Sequence, residues 1–110
     1  MTDKIVVLCT CSSTDEARRV AGEIIAKRLA ACVNVLPEVT SVYHWKGAVE
    51  ESRETLLLIK SSRPLFDRVR AEIARLHSYE VPEIIALPVV EGSQSYLQWM
   101  DGELNGSERP

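Results

Sequence analysis

The stretch from His77 to Glu83, HSYEVPE, packs one of the chain's two histidines together with Tyr79, Glu80, Pro82 and Glu83. Cys9 and Cys11 stand two apart near the start, and Cys32 is the third cysteine of a 110-residue chain. Imidazole, thiolate and carboxylate are the usual ligands of borderline metals. Cys9, Cys11, Cys32, His44, His77, Glu80 and Glu83 are therefore the candidate ligands. No C-x-x-C pair and no H-E-x-x-H occurs, so spacing alone writes no closed zinc motif. His77 and Glu83 are six apart across a turn, which permits convergence without requiring it. His77 equally suits a helix C-terminus, where a histidine faces the favourable end of the dipole. Cys9 and Cys11 share one face if they lie on a strand. They read either as a soft-metal pair or as two small apolar side chains in a core.

Other chemistries find little support. There is no G-x-S-x-G elbow for a nucleophile and no glycine-rich phosphate loop. A third reading, acid–base catalysis among Glu80, Glu83 and His77, needs a bell-shaped pH–rate profile to sustain it. The formal net charge is −3, unlike the basic footprint of a general nucleic-acid binder, and the RNP1 pattern of an RNA-recognition domain is missing. No run of about 18 apolar residues predicts a membrane span. The start, MTDKIVVLCTCSS, has a short apolar run, an Asp and one Lys before it, and no small-residue cleavage site after it. It reads as a first strand. With an odd number of cysteines this predicts a cytoplasmic protein whose thiols stay unbridged.

The elements that must position these residues follow from periodicity. Residues 4–11 are β-branched and apolar, hence a strand. Ser13 and Glu16 have capping-box spacing. Ala17, Val20, Ala21, Ile24, Ile25 and Leu29 then recur at threes and fours, predicting a helix over 14–29. Residues 32–45 alternate and predict a long strand, with Pro37 marking a bulge, bend or edge. KGAVEE is read as the turn and RETLLLIKS, 53–61, as the antiparallel partner strand. Pro64 opens a second helix with Phe66, Val69, Ile73 and Leu76 as its apolar stripe, and His77 falls in its last turn before Pro82. EIIALPVV, 83–90, is the fourth strand. Tyr96, Leu97, Trp99, Met100 and Leu104 make a short C-terminal helix. Residues 1–105 form one domain and 106–110 a polar tail.

The order β-α-β-β-α-β-α predicts an α+β, ferredoxin-like fold: a four-stranded antiparallel sheet with two helices on one face. TLLLIK and EIIALPVV are apolar at consecutive positions, which predicts that both sheet faces are buried. The open face then needs the C-terminal helix, other subunits, or both. Tyr43 and Trp45 point to one face near the hairpin tip and His44 to the other. They suit a pocket or an interface. Lys60 and Glu54 read as solvated strand-edge charges.

RLAACVNVLPEVTSVYHWKGAVEESRETLLLIKS and LHSYEVPEIIALPVVEGSQSYLQWM resemble the CutA family of divalent-cation tolerance proteins, and IVVLCTCSSTDEA fits the same pattern. The similarity spans about residues 4–104. It implies a ferredoxin-like, non-enzymatic homotrimer assembled by strand pairing between subunits, similar in architecture to PII signalling proteins. It also implies association with divalent metals, Cu(II) first and Zn(II) second, no organic cofactor, and no nucleic-acid or membrane partner. In animals the family is linked to anchoring a membrane esterase. Carried over by position, the metal-contacting residues are Cys9 in VLCT, His77, and Glu83 in VPE. Ser78 stands where the family pattern has proline, which loosens the connection after His77. Tyr43, Trp45, Lys60 and Tyr79 are the expected interface or cleft residues. On this reading His77 ends the helix with a free ring nitrogen. The rival reading is a PII-like regulator that binds a small organic anion between subunits, near Tyr43, Lys60, His77 and Glu83, and signals to a protein partner.

Overall fold

A computed structural model describes residues 1–104. Its elements run β1 (Lys4–Cys11), α1 (Thr14–Ala26), β2 (Cys32–Trp45), β3 (Ala48–Ser62), a 3-10 turn (Arg63–Leu65), α2 (Phe66–Leu76), β4 (Ile85–Pro88) and α3 (Gln94–Glu103). The sheet order is β2-β3-β1-β4, with every neighbouring pair antiparallel. This is the ferredoxin-like arrangement with an added C-terminal helix. Residues 105–110, including the expected polar tail, lie outside the described residues.

β1 shows why the pattern folds this way. Ile5, Val7, Cys9 and Cys11 all face α1 and α2 and are buried, while Val6, Leu8 and Thr10 face the other side and are only half-buried. Leu57 and Ile59 continue the buried face on β3, and Ala17, Val20, Ile24, Val69 and Ile73 close it from the helices. Covering each of the Val, Leu and Ile side chains among them is worth about 1.5–3 kcal/mol.

Several boundaries differ from those the sequence predicts. α1 stops at Ala26 rather than 29, because Arg28 takes a left-handed backbone (φ 57°). The Leu29 N–H then bonds the Ile24 carbonyl (3.0 Å) and the Arg28 N–H the Ile25 carbonyl (2.9 Å), a Schellman closure made without glycine. β3 begins at Ala48, so the turn is only Lys46 and Gly47, both at positive φ, as a tight two-residue hairpin requires. Glu50 and Glu51 are strand residues opposite Tyr43 and Val42, not loop. Pro37 does sit in an irregularity: the register shifts between Leu36 and Val39, and Glu38 has φ 63°. β4 is shorter than expected, pairing only over Ile85–Pro88 along one edge of the sheet.

The second sheet face is partly closed by α3. Lys4 Nζ bonds Asp101 (2.6 Å), the Lys60 ammonium lies 5.9 Å from the Tyr96 ring centroid, and Met100 is buried. Beyond α3 the face is open in the single chain: Ile85 is 51 % exposed and Leu87 49 %. Val42, Trp45 and Val49 on the hairpin are exposed as well. No helix among the described residues is long and apolar enough to cross a membrane.

Candidate metal centre

The end of β1 meets the end of α2. Cys9 and Cys11, on the helix-facing side of the strand, are fully buried. His77 follows the last residue of α2, and its N–H bonds the Ile73 carbonyl (2.8 Å). Its own backbone is extended, so it terminates the helix rather than continuing it. The ring is gripped from both sides. Nε2–H donates to the Thr10 carbonyl (2.7 Å), and Nδ1 accepts from the Tyr79 N–H (3.0 Å). A carbonyl only accepts and an amide N–H only donates, so this pairing fixes the neutral Nε2–H tautomer. The expected free nitrogen is therefore occupied at both positions.

The grip delivers the imidazole to the two thiols. Donor atoms of Cys9, Cys11 and His77 all lie within 4.8 Å of one another. Glu83 is not in this group. It is exposed, although its charge is near enough to act on the Cys9 thiol. Hydrogen bonding with Cys11, followed by burial and then the Glu83 and Glu16 charges, pushes the Cys9 thiol up. Cys11, on the other side of that contact, is lowered by Cys9, against the opposing pull of burial and of Glu16 and Glu54. All three cysteines are unbridged. Cys32 lies apart, in register with Lys60.

Glu16 holds the joint together. Ser13 caps α1 by accepting from the Glu16 N–H (3.1 Å). The Glu16 carboxylate reaches beyond the usual box: Oε1 accepts from Ser12 N–H and Oγ (both 2.9 Å), and Oε2 from the Ser78 N–H (2.7 Å). Ser78 can make that last bond because it is not proline. Burial works to raise the Glu16 carboxyl, but the bonds from Ser12 and Ser78 overcome it and hold it at about 2. The spacing of Ser13 and Glu16 signalled the cap; nothing local signalled Ser78.

Beside the centre opens a cleft of about 530 Å3, lined by Thr10, Tyr43, Trp45, Glu54, Ser78, Tyr79, Glu80, Val81 and Glu83. Tyr43, Trp45, Tyr79 and Glu83 are thus brought together. Lys60 is not among them; it sits against Tyr96. Glu54, read as a solvated edge charge, is only 8 % exposed, because β3 is an interior strand. The Tyr79 hydroxyl donates to it (2.7 Å), and burial together with Glu54 pushes the Tyr79 phenol above its ordinary range. With three carboxylates and no Lys or Arg in its wall, the cleft suits a cation better than the organic anion of the rival reading.

Comparison with known proteins agrees with this frame. The family model described as CutA1 divalent ion tolerance protein matches residues 5–103. The divalent-cation tolerance protein CutA of Thermus thermophilus is 46 % identical over 95 residues, covering 86 % of this chain and 92 % of that one. The human protein CutA is 45 % identical over 91 residues, 83 % of this chain, which spans only about half (51 %) of the human protein. The crystal structure of CutA1 from Oryza sativa superposes with a TM-score of 0.91 at 41 % identity, covering 93 % of this chain and 94 % of that one.

Proposed function

The chain belongs to the CutA1 family of divalent ion tolerance proteins, and on that premise we propose that it is a non-catalytic metal-binding protein of divalent cation tolerance. Its metal is copper, with Zn(II) the second fit. The observation that carries the reading is the convergence of Cys9, Cys11 and His77 donors within 4.8 Å. Thiolate and imidazole together suit copper and zinc better than Mg(II) or Ca(II), which take oxygen ligands. Cys9 and His77 are the ligands, with the Glu83 charge nearby. His77 must surrender its bond to Thr10 or to Tyr79 to ligate, so the site holds its ion less tightly than a preformed cage. The reading includes no organic cofactor and no nucleic-acid or membrane partner.

The proposal extends to assembly and place. The half-exposed Ile85 and Leu87 and the apolar hairpin tip support a homotrimer in which neighbouring subunits cover them. Three unbridged thiols fit a cytoplasmic location. Isothermal titration with Cu(II) tests the metal site. His77→Ala should weaken binding at least about tenfold, about 1.4 kcal/mol, with the oligomer intact. Unchanged titrations for both His77→Ala and Glu83→Ala reject it.

A further inference from the structure

We propose that Cys11 is the third ligand of this centre and that the Cys9–Cys11–His77 set takes copper as Cu(I). The inference rests on the metal-binding reading and names the ion's oxidation state and the residue that selects it. Three observations carry it. Cys9 and Cys11 occupy consecutive inward positions of β1, so the strand itself holds both sulfurs on one face. His77 is brought over them from the end of α2 by the Thr10 carbonyl, the residue between the two cysteines. Glu83, the ligand that the family resemblance implies, stays outside the group.

The size of the group fits an ion. Three donors at the outer limit of 4.8 Å form a triangle whose centre lies about 2.8 Å from each; a metal–sulfur bond of about 2.3 Å and a metal–nitrogen bond of about 2.0 Å then need each sulfur to move by about 0.5 Å and the imidazole nitrogen by about 0.8 Å. The chemistry of the set selects the ion. Soft thiolates favour Cu(I) and Zn(II) over harder ions. Structural zinc wants four ligands, whereas both cysteines are fully buried and no fourth His, Cys, Asp or Glu donor joins the group among the described residues. Cu(I), with a closed d shell, is satisfied by three. Two adjacent thiolates are also a poor host for Cu(II), which oxidises thiolates. A monovalent ion, two thiolates and a neutral imidazole leave one net negative charge, and each thiol releases one proton on binding.

The ligands differ in what they must give up. Cys9 and Cys11 each give up a proton but only weak sulfur contacts, such as that of Cys9 to the Thr10 carbonyl (3.8 Å). His77 must break its 2.7 Å bond to Thr10 or its 3.0 Å bond from Tyr79. Cys11 is therefore the stronger ligand of the two, the reverse of the order expected for a Cu(II) site built on His77 and Glu83.

The test is competition for Cu(I) against a chromophoric Cu(I) chelator under anaerobic conditions, with the intact protein. X-ray absorption then reports the number of sulfur ligands. Loss of an outer-shell partner alone costs about 10–100-fold, so Cys11→Ser and Cys11→Ala should each weaken Cu(I) binding at least about a hundredfold. His77→Ala should weaken it less, and the wild type should show two sulfurs on copper. Heat denaturation of each apo variant controls for folding, and the Cu(I)-dependent rise in melting temperature should vanish in both Cys11 variants. If Cys11 variants bind Cu(I) as the wild type does while Cys9→Ser and His77→Ala lose metal, Cys11 is core filling and this inference fails with the metal reading intact. If the wild type binds neither Cu(I) nor Cu(II), both fail.

Discussion

Replacing Glu16 by Gln isolates the clamp that sets the joint between α2 and β4. The carboxylate is 5 % exposed and accepts three hydrogen bonds, two from Ser12 and one from Ser78. Glutamine keeps one acceptor oxygen for Ser12 but turns a donor NH2 toward the Ser78 N–H, so that bond becomes a donor–donor contact. The folded-state value of about 2, against an ordinary 4.5, fixes the sign of the pH effect. Because the folded value is depressed, the ionised carboxylate stabilises the protein fully above about pH 4.5, and that stability drains away as pH falls toward 2. At 1.36 kcal/mol per unit the upper limit is about 3 kcal/mol. Screening at a loop junction brings the expectation to about 2 kcal/mol. Urea denaturation at one fixed protein concentration should show Glu16→Gln destabilised by that amount at pH 7, with the gap to the wild type closing steadily from pH 4.5 to pH 3. Hydrogen exchange at the Ser78 amide should accelerate in the variant. A gap that stays constant from pH 7 to pH 3, or a fully protected Ser78 amide in the variant, refutes the assignment.

Light scattering after gel filtration should give about three times the 12.3 kDa chain mass, and a clean monomer at micromolar concentration would overturn the trimer. Tyr79→Phe leaves the buried Glu54 carboxylate without its hydroxyl donor and should cost about 1–3 kcal/mol in urea denaturation. The same loss should be largely absent when Tyr79→Phe is placed on a Glu54→Gln background, and an equal loss on both backgrounds would break the pairing.

The elements that the sequence predicts well are those whose signal is local. β1 is β-branched and apolar, β2 alternates, α1 and α2 repeat at threes and fours, and Pro37 marks the irregularity where it falls. The misplaced boundaries each trace to a tertiary or conformational choice that a window of residues does not carry. Arg28 adopts the left-handed closure normally given to glycine, so α1 ends three residues before its apolar pattern does. Glu50 and Glu51 look like turn residues until the Lys46–Gly47 turn pins them opposite Tyr43 and Val42. The same division runs through the candidate centre. Cys9 and Cys11 are legible as a pair because the strand period alone puts them on one face. His77 is legible as a helix terminus because Pro82 follows it. What brings the two together is a bond between His77 and Thr10, 67 positions apart, and a bond from Ser78 to Glu16, 62 apart. Glu54 looks like a solvated charge in sequence for a similar reason: its burial depends on the order of strands in the sheet and on a hydroxyl 25 residues away. A list of ligand-type residues therefore names the members of a centre without choosing among them. Here the chain register, by placing Thr10 between two inward thiols and under the end of α2, favours Cys11 over Glu83.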